Sequence, residues 1–392
     1  MSETIQELRT WRARVSARST FLFFEMLTTA GRTGTGEATM SGDDPGAVAV
    51  ATRLFDGLLA GRPLDDIPQA VDQLVSTPGT RDSLVTATAV SALEQCAWDL
   101  RGQARRMPVH ELLGGARRDA IRLYANINRG TAERSPEGFA AAAAGAIEAG
   151  FDAVKCAPFD GVAPHHDFAD TLVQAGLERI RAVRAAAPHA ILMVDCHGRL
   201  GADTARRIIP ILSELSIFWL EEPLATNPHT RSLASWQERR HTIGEARTAA
   251  DPDLAWLDGC GIPIAGGEFE YGLDGFDALL RRVPLSFVMP DVKHSGGVWT
   301  TTALGTVAAS RGVGFAPHKP SGPISTVVSM HICAAVPQVE MLEYQWGEVD
   351  GRELLVTPAE PRERGILTRT DAPGLGVALN HEALRNLLIP TG

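Results

Sequence analysis

The chain has 392 residues, 44% of them hydrophobic, which is enough apolar material for one large core or two unequal ones. Its formal net charge of −10 is dispersed along the sequence, which argues against nucleic acid as a partner, and no apolar run approaches membrane-spanning length. Five widely spaced cysteines, Cys96, Cys156, Cys196, Cys260 and Cys333, form no CxxC pair, so they read as reduced thiols filling the core of a cytoplasmic protein.

The N-terminus, "MSETIQELRT", is polar and lacks the basic start and apolar stretch of a signal peptide. Further on, "STFLFFEMLTTAGRTGTGEATM" predicts two strands joined by a glycine-containing turn, and "VTATAVSALEQCAWDLRGQARR" predicts a long helix. An α+β domain is therefore expected over residues 1–121. From Arg122 onward, short apolar runs alternate with Ala-rich or Arg-rich segments of helical period. The runs are "IRLYANI", "FDAVKCAP", "AILMVDCHG", "IFWLEEP", "IPIAGGE", "LSFVMPD", "VGFAPHK" and "VEMLEYQ". Eight strands alternating with helices predict a parallel sheet closed into a β/α barrel over residues 122–350. Most runs lie roughly 25 to 30 residues apart, but about 45 separate "IFWLEEP" from "IPIAGGE", which predicts an insertion near 225–260. The turn-rich tail, 351–392, is expected to pack outside the barrel.

Almost every run ends on a polar or charged residue, and in such barrels the carboxyl ends of the strands carry the chemistry. In "AILMVDCHG", residues two apart share a face, so Asp195 and His197 continue the line of Ile191 and Met193. Polar groups in a line of buried side chains need water, a metal or a reacting ligand beside them. Asp195 ends the third strand, Glu221 or Glu222 the fourth, and Glu268 the fifth. Any one acid alone reads better as a solvated loop residue or a helix N-cap. Three on successive strands require a cation, and an all-oxygen set suits Mg²⁺ better than zinc. Asp291 and His318 end the sixth and seventh strands, and an aspartate behind a histidine fixes its tautomer and raises its basicity, as a general base requires. Lys155 ends the second strand across the barrel mouth, where it binds a carboxylate, takes a proton or pairs with a rim acid, and Glu343 ends the eighth.

In their order and spacing, "GRTGTGEA", "CAWDLRGQARRMPVHELLGG", "VKCAP", "VDCHG", "WLEEP", "AGGE", "PDVKHSGGV", "APHKPSGP" and "LEY" make the chain resemble the mandelate racemase/muconate lactonizing enzymes of the enolase superfamily. The resemblance implies a modified TIM barrel, (β/α)7β, with an N-terminal α+β capping domain on which the C-terminal segment packs back. It implies that Asp195, Glu221 and Glu268 hold Mg²⁺, that Asp291 and His318 form a base dyad, and that Glu343 hydrogen-bonds a substrate carboxylate oxygen. Racemases of this family carry K-x-K after the second strand. Here "KCAP" has Lys155 at the first position and Ala157 at the second, so the usual second base is missing. "DCHGR" resembles the D-x-H-G-R of acid-sugar dehydratases of the galactonate dehydratase type, which implies that His197 protonates a departing 3-hydroxyl.

The implied activity is that of a Mg²⁺-dependent hydro-lyase converting an aldonate or aldarate into a 2-keto-3-deoxy acid. Two alternatives stand beside it: an epimerase or racemase working by 1,1-proton transfer with Lys155 or another second base, and a non-catalytic binding protein that keeps the fold. A cytoplasmic homo-oligomer with a small-molecule carboxylate substrate, and no nucleic-acid or membrane partner, completes the expectation. Substrate choice in the family lies in capping-domain loops, here near "VSARSTFLF", so Arg14, Arg18 and Ser19 are candidates, with His165 and His166 after the second strand.

Overall fold

The computed structural model describes residues 3–40, 44–76, 83–225 and 254–390. Three antiparallel strands open the chain: β1 (Ile5–Arg14), β2 (Thr20–Thr28) and β3 (Thr33–Glu37), hydrogen-bonded in that order. β2 and β3 are the two strands the sequence predicts. β1 is additional: it is rich in Arg, Glu and Thr and fully buries only Ile5 and Ala13. Two helices, α1 (Asp44–Leu54) and α2 (Ile67–Ser76), precede the predicted long helix α3 (Leu84–Arg105). The Ser83 side chain accepts the Thr86 N–H at its start, and Arg106 turns left-handed at its end with φ 53°. β3 lies directly on α3, where a Cβ at Gly36 would stand 2.2 Å from the Ala92 carbonyl oxygen, so no larger residue fits. The short α4 (Val109–Leu112) leads into the barrel.

Eight parallel strands follow: β4 (Ala120–Asn126), β5 (Ala153–Cys156), β6 (Ile191–Asp195), β7 (Ile217–Glu221), β8 (Ile264–Gly266), β9 (Phe287–Val288), β10 (Gly314–Phe315) and β11 (Leu342–Gln345). Each of the eight predicted runs coincides with one of them, β4 starting one residue before its run. The strands pair in sequence order and β11 pairs with β4, while the N–H groups of Glu340 and Glu343 donate to the carbonyls of Phe315 and Pro317, so the sheet closes. Six described helices connect them: α5 (Pro136–Glu148), α6 (Thr171–Ala186), α7 (Ala202–Glu214), α8 (Gly272–Arg282), α9 (Gly297–Ser310) and α10 (Pro323–Ala335). Their amphipathic period seats them on the sheet, as in α7, where Thr204, Ala205, Ile208, Ile209 and Leu212 are buried. Most of the predicted insertion near 225–260 lies outside the described residues.

One side chain from each strand or its end fills the barrel interior: Tyr124, Ala153, Met193, Trp219, Ala265, Met289, Ala316 and Met341. This layer is the floor of the barrel mouth. Side chains two apart share a strand face, so the next inward residue on each strand stands above that floor. Those residues are Asn126, Lys155, Asp195, Glu221, Asp291, His318 and Glu343. On β8 the interval is three: Gly267, with φ 107° and Leu279 only 2.9 Å from where a Cβ would stand, absorbs the extra residue and delivers Glu268.

The tail forms β12 (Val356–Thr357), β13 (Arg362–Glu363), β14 (Ile366–Thr368), β15 (Ala378–Leu379) and α11 (His381–Leu384). β14 pairs antiparallel with the start of β4, and the last residues reach β1, where Arg14 N–H donates to Leu387 and Ile389 N–H donates to Arg12. Two buried carboxylates bind the first part of the chain to the barrel. Glu37 of β3 accepts from the N–H groups of Gly322 (2.7 Å) and Ser325 (2.9 Å) at the start of α10. Glu94 of α3 accepts from Val298 (2.6 Å) and Trp299 (3.0 Å) at the start of α9. Both acids sit at the positive end of a helix, where negative charge is favoured. All five cysteines are unpaired, and four of them are buried. No described helix is long and apolar enough to cross a membrane.

Candidate active site

A cavity of about 620 Å³ opens above the barrel floor, bordered by the strand ends on one side and by the β1–β2 turn on the other. Asp195, His197, Glu268, Asp291 and His318 line it, together with Arg14, Arg18 and Ser19. Most of the expected site residues therefore meet in one space. His165 and His166 do not: they meet edge to face outside the cavity, their ring centroids 4.3 Å apart, and the His166 carbonyl accepts from Thr204. Lys155, Glu221 and Glu343 stand behind the cavity wall, almost fully buried. A second cavity, of about 440 Å³ beside α3, is lined largely by apolar side chains and holds no comparable cluster.

The three acids expected to hold a metal stand on neighbouring strands. Asp195 and Glu221 are register partners, and Glu221 pairs in turn with Ala265, three residues before Glu268. Each carboxylate is engaged by a nitrogen base: Asp195 by the His197 imidazole at 2.9 Å, Glu221 by the Lys155 amine at 2.8 and 2.9 Å, and Glu268 by the His318 imidazole at 2.6 Å. So arranged, no three acids, histidines or cysteines among the described residues form an assembled metal shell. The donor set nevertheless suits a hard divalent cation, being three buried carboxylates with no thiolate. Glu221 shows the strain of that clustering. Burial pushes its carboxyl up to about 8, and the charges of Asp195, Glu343 and Glu268 add to the push against the pull of Lys155. A cation among these oxygens relieves it.

Lys155 is held as an ammonium. Burial alone would discharge it, but Glu221 and Glu343 raise it well above the ordinary lysine value. Glu343 supplies the matching charge, since against its burial Lys155, His318 and the Lys319 N–H hold its carboxyl down to about 2. It lies 3.0 Å from the lysine amine and also accepts from Asn126 Nδ2 (2.6 Å) and the Lys319 N–H (2.7 Å). Of the roles open to Lys155 in the sequence, the ion pair with rim acids is the contact it makes.

His318 is oriented by acids on both sides. Its Nδ1 lies 2.9 Å from Asp291 Oδ2 and its Nε2 faces Glu268. Burial works to discharge the ring, yet Glu268, Glu343 and the bond to Asp291 push it well above the usual histidine value. Asp291 is itself tied to Lys293, through the backbone N–H at 2.9 Å and the side-chain amine. His197 is held more lightly: its backbone is left-handed at φ 50°, its N–H and ring both contact Asp195, and it is followed by Gly198, whose N–H donates to Glu222. A non-glycine residue with positive φ is uncommon and gathers at functional turns.

The order of strands, the interior layer and this ring of polar ends agree with two family matches. Residues 9–114 match the mandelate racemase/muconate lactonizing enzyme N-terminal domain, and residues 138–383 match the enolase C-terminal domain-like family. The chain belongs to that enolase-like family. Among its relatives, D-xylonate dehydratase of Haloferax volcanii is 27% identical over 93% of this chain and 84% of its own length. D-galactonate dehydratase of Xanthomonas axonopodis pv. citri is 28% identical, over 93% of this chain and 90% of its own length. The solved structure of a mandelate racemase/muconate lactonizing enzyme from Jannaschia sp. CCS1 superposes with a TM-score of 0.83 at 25% identity, covering 99% and 98% of the two chains. A namesake from Sulfitobacter sp. gives 0.85 at 24% identity, covering 100% and 97%, and shares the fold.

Several cavity residues of this enolase-like chain escape a reading of the sequence: Asn126, Lys293 and His294 on the barrel side, and Arg12, Arg129 and Arg199 around the rim. Asn126 had a usable signal, because it stands two residues beyond Tyr124 as Asp195 stands two beyond Met193.

Proposed function

We propose that this chain is a Mg²⁺-dependent dehydratase of a sugar acid, an aldonate or aldarate, giving a 2-keto-3-deoxy acid. The observation that carries the reading is the pair of imidazoles, His197 and His318, opening on one cavity from different strands and each oriented by its own carboxylate. Elimination of water needs a base for the proton α to the carboxylate and an acid for the departing hydroxyl. The dehydratase relatives support the same reaction class.

In the proposed mechanism His318 Nδ1–H donates to Asp291, so Nε2 is the nitrogen that takes the C2 proton. Nε2 faces Glu268, one of the acids that would hold the cation, and would be free to accept when that carboxylate is engaged elsewhere. The electron pair released at C2 moves toward the carboxylate, returns as the C3–O bond breaks, and His197 supplies the proton that turns the leaving hydroxyl into water. The resulting enol collapses to the 2-keto acid. Asp195, Glu221 and Glu268 would hold Mg²⁺, which when bound supplies the positive charge that makes a second negative charge on the substrate carboxylate tolerable. Lys155 keeps Glu221 and Glu343 in place and is held charged, so it is no proton acceptor. That weighs against the epimerase reading, as does Ala157 in place of a second lysine.

The test is a panel of aldonates and aldarates assayed for 2-keto acid formation with Mg²⁺, with EDTA, and with the Glu268→Gln variant. Formation that stops with EDTA and in Glu268→Gln is expected. Activity surviving both would remove the metal assignment. Exchange of C2–H in D₂O without 2-keto acid would favour the epimerase, and neither signal would favour a binding protein.

A further inference from the structure

We propose that His294 is a hydrogen-bond acceptor locked in one neutral tautomer, and that it selects substrates carrying a hydroxyl group beyond C3. The identity of the substrate rests on the dehydratase reading above; the state of the ring does not. His294 lies between β9 and α9, three residues after Asp291, whose carbonyl accepts its N–H. Its ring is 4% exposed and borders the cavity.

The tautomer follows from a count of protons. Thr88 on α3 lies 2.8 Å from His294 Nδ1, and the same hydroxyl oxygen lies 2.7 Å from the Leu84 carbonyl. A hydroxyl has one proton and a carbonyl has none to give, so the proton goes to Leu84 and Thr88 faces the imidazole as an acceptor. Nδ1 therefore carries the hydrogen. The opposite arrangement would set two oxygen lone pairs against each other at 2.7 Å. The ring does not hold a second proton either: burial, with the nearby charges of Lys293 and His318, outweighs the Asp291 and Glu268 carboxylates and pushes it down to about 3. Nε2 is then a bare lone pair.

That lone pair has no donor among the described residues. Asp291 Oδ2 lies 4.0 Å from it and is itself an acceptor, and the Lys293 amine is drawn to Asp291. Phe269 stacks on the ring at 6.2 Å between centroids, closing an apolar side. A carboxylate or phosphate placed against Nε2 would meet its lone pair and the Asp291 carboxylate 4.0 Å beyond, with no proton to share. A neutral O–H is the group that satisfies it, and leaving it unpaired on binding has a cost. His294 thus acts on the polyol part of a sugar acid, apart from the departing hydroxyl that His197 serves.

The experiment has two parts. Nitrogen-15 spectra of the whole protein at neutral pH, with the His294 signal assigned by its loss in His294→Phe, should show Nδ1 protonated and Nε2 bare in wild type and in Thr88→Ser, but not in Thr88→Val. A protonated Nε2 in wild type overturns the proposal. Second, kcat/KM is compared for the best sugar acid and its 4-, 5- and 6-deoxy analogues. Wild type and Thr88→Ser should disfavour one analogue by about 10- to 100-fold, and His294→Phe should reduce that ratio below about threefold. Turnover with no ratio above about threefold in wild type overturns the selection while leaving the dehydratase reading intact. No turnover and no calorimetric binding of any sugar acid would defeat both, and the spectra would still decide the tautomer.

Discussion

The two histidines of the cavity are held in different ways. His318 has an acid at each ring nitrogen, and the helix that begins just after it, α10, is fixed at its start by Glu37 from β3. His197 contacts Asp195 through both its N–H and its ring, from a left-handed backbone before a glycine, and its side chain is 24% exposed against 10% for His318. A base that attacks a weakly acidic C–H must keep one direction, because proton transfer is lost with small misplacement. An acid that follows a departing oxygen gains from latitude. On the proposed roles, the contrast places rigidity where the less reactive bond is broken.

The largest effect should come from the rigid side. His318→Asn should lower dehydration by about 10⁴-fold and abolish C2 deuterium exchange with it. His197→Asn should lower dehydration by about 10²- to 10³-fold while exchange persists. The ratio of the two rates, read by NMR in D₂O, tests the division of labour, and equal loss of both rates in His197→Asn would break it. Glu37→Gln places an amide against two N–H donors in a fully buried position, so stability to denaturant should fall by about 1–3 kcal/mol. If Glu37 works through His318, exchange and dehydration should fall by a common factor. Loss of dehydration alone would show that it does not position the base.

The smallest effect concerns the far half of α10. His331 Nε2–H donates to the Leu375 carbonyl at 3.1 Å, leaving Nδ1 to accept from His110 Nδ1 at 3.0 Å. Burial first, aided by His110, pushes His331 down to about 3 from an ordinary 6.5. The fold thus favours the neutral ring, so this stabilisation is complete above about pH 6.5 and is lost as pH falls toward 3. Between pH 6.5 and 5 the loss should be roughly 1–2 kcal/mol, measured by denaturation across pH. An unchanged pH slope in His331→Gln would remove this anchor from the account.

The barrel was legible because each strand announces itself twice, by an apolar run and by the polar residue that ends it. β1 was not, since its alternating Arg, Glu and Thr carry no apolar stripe and its order comes from pairing with β2. The metal-type acids, the Asp291 and His318 pair and His197 could be read for the same reason as the strands: each sits at a strand end. Thr88, Glu37 and Glu94 could not. They act on residues 206, 285 and 204 positions away in the chain, and nothing local marks a threonine or a glutamate for such a partner. Lys155 was half legible, with its place fixed by β5 and its role decided by Glu221 and Glu343.

The paired grips of Glu37 and Glu94 bear on how a substrate arrives. Swinging the first hundred residues away from the barrel as a body would break four bonds from backbone N–H groups to charged oxygens at once, three of them buried and the fourth partly so. At about 1.5–3 kcal/mol for each such bond, the open form would cost roughly 6 kcal/mol or more, a population near one in 10⁴ or below. Admission by a gaping of the two halves is therefore too rare a route for an efficient enzyme. Traffic into the cavity belongs to its rim at the Arg14–Ser19 turn, which borders the cavity and carries neither grip.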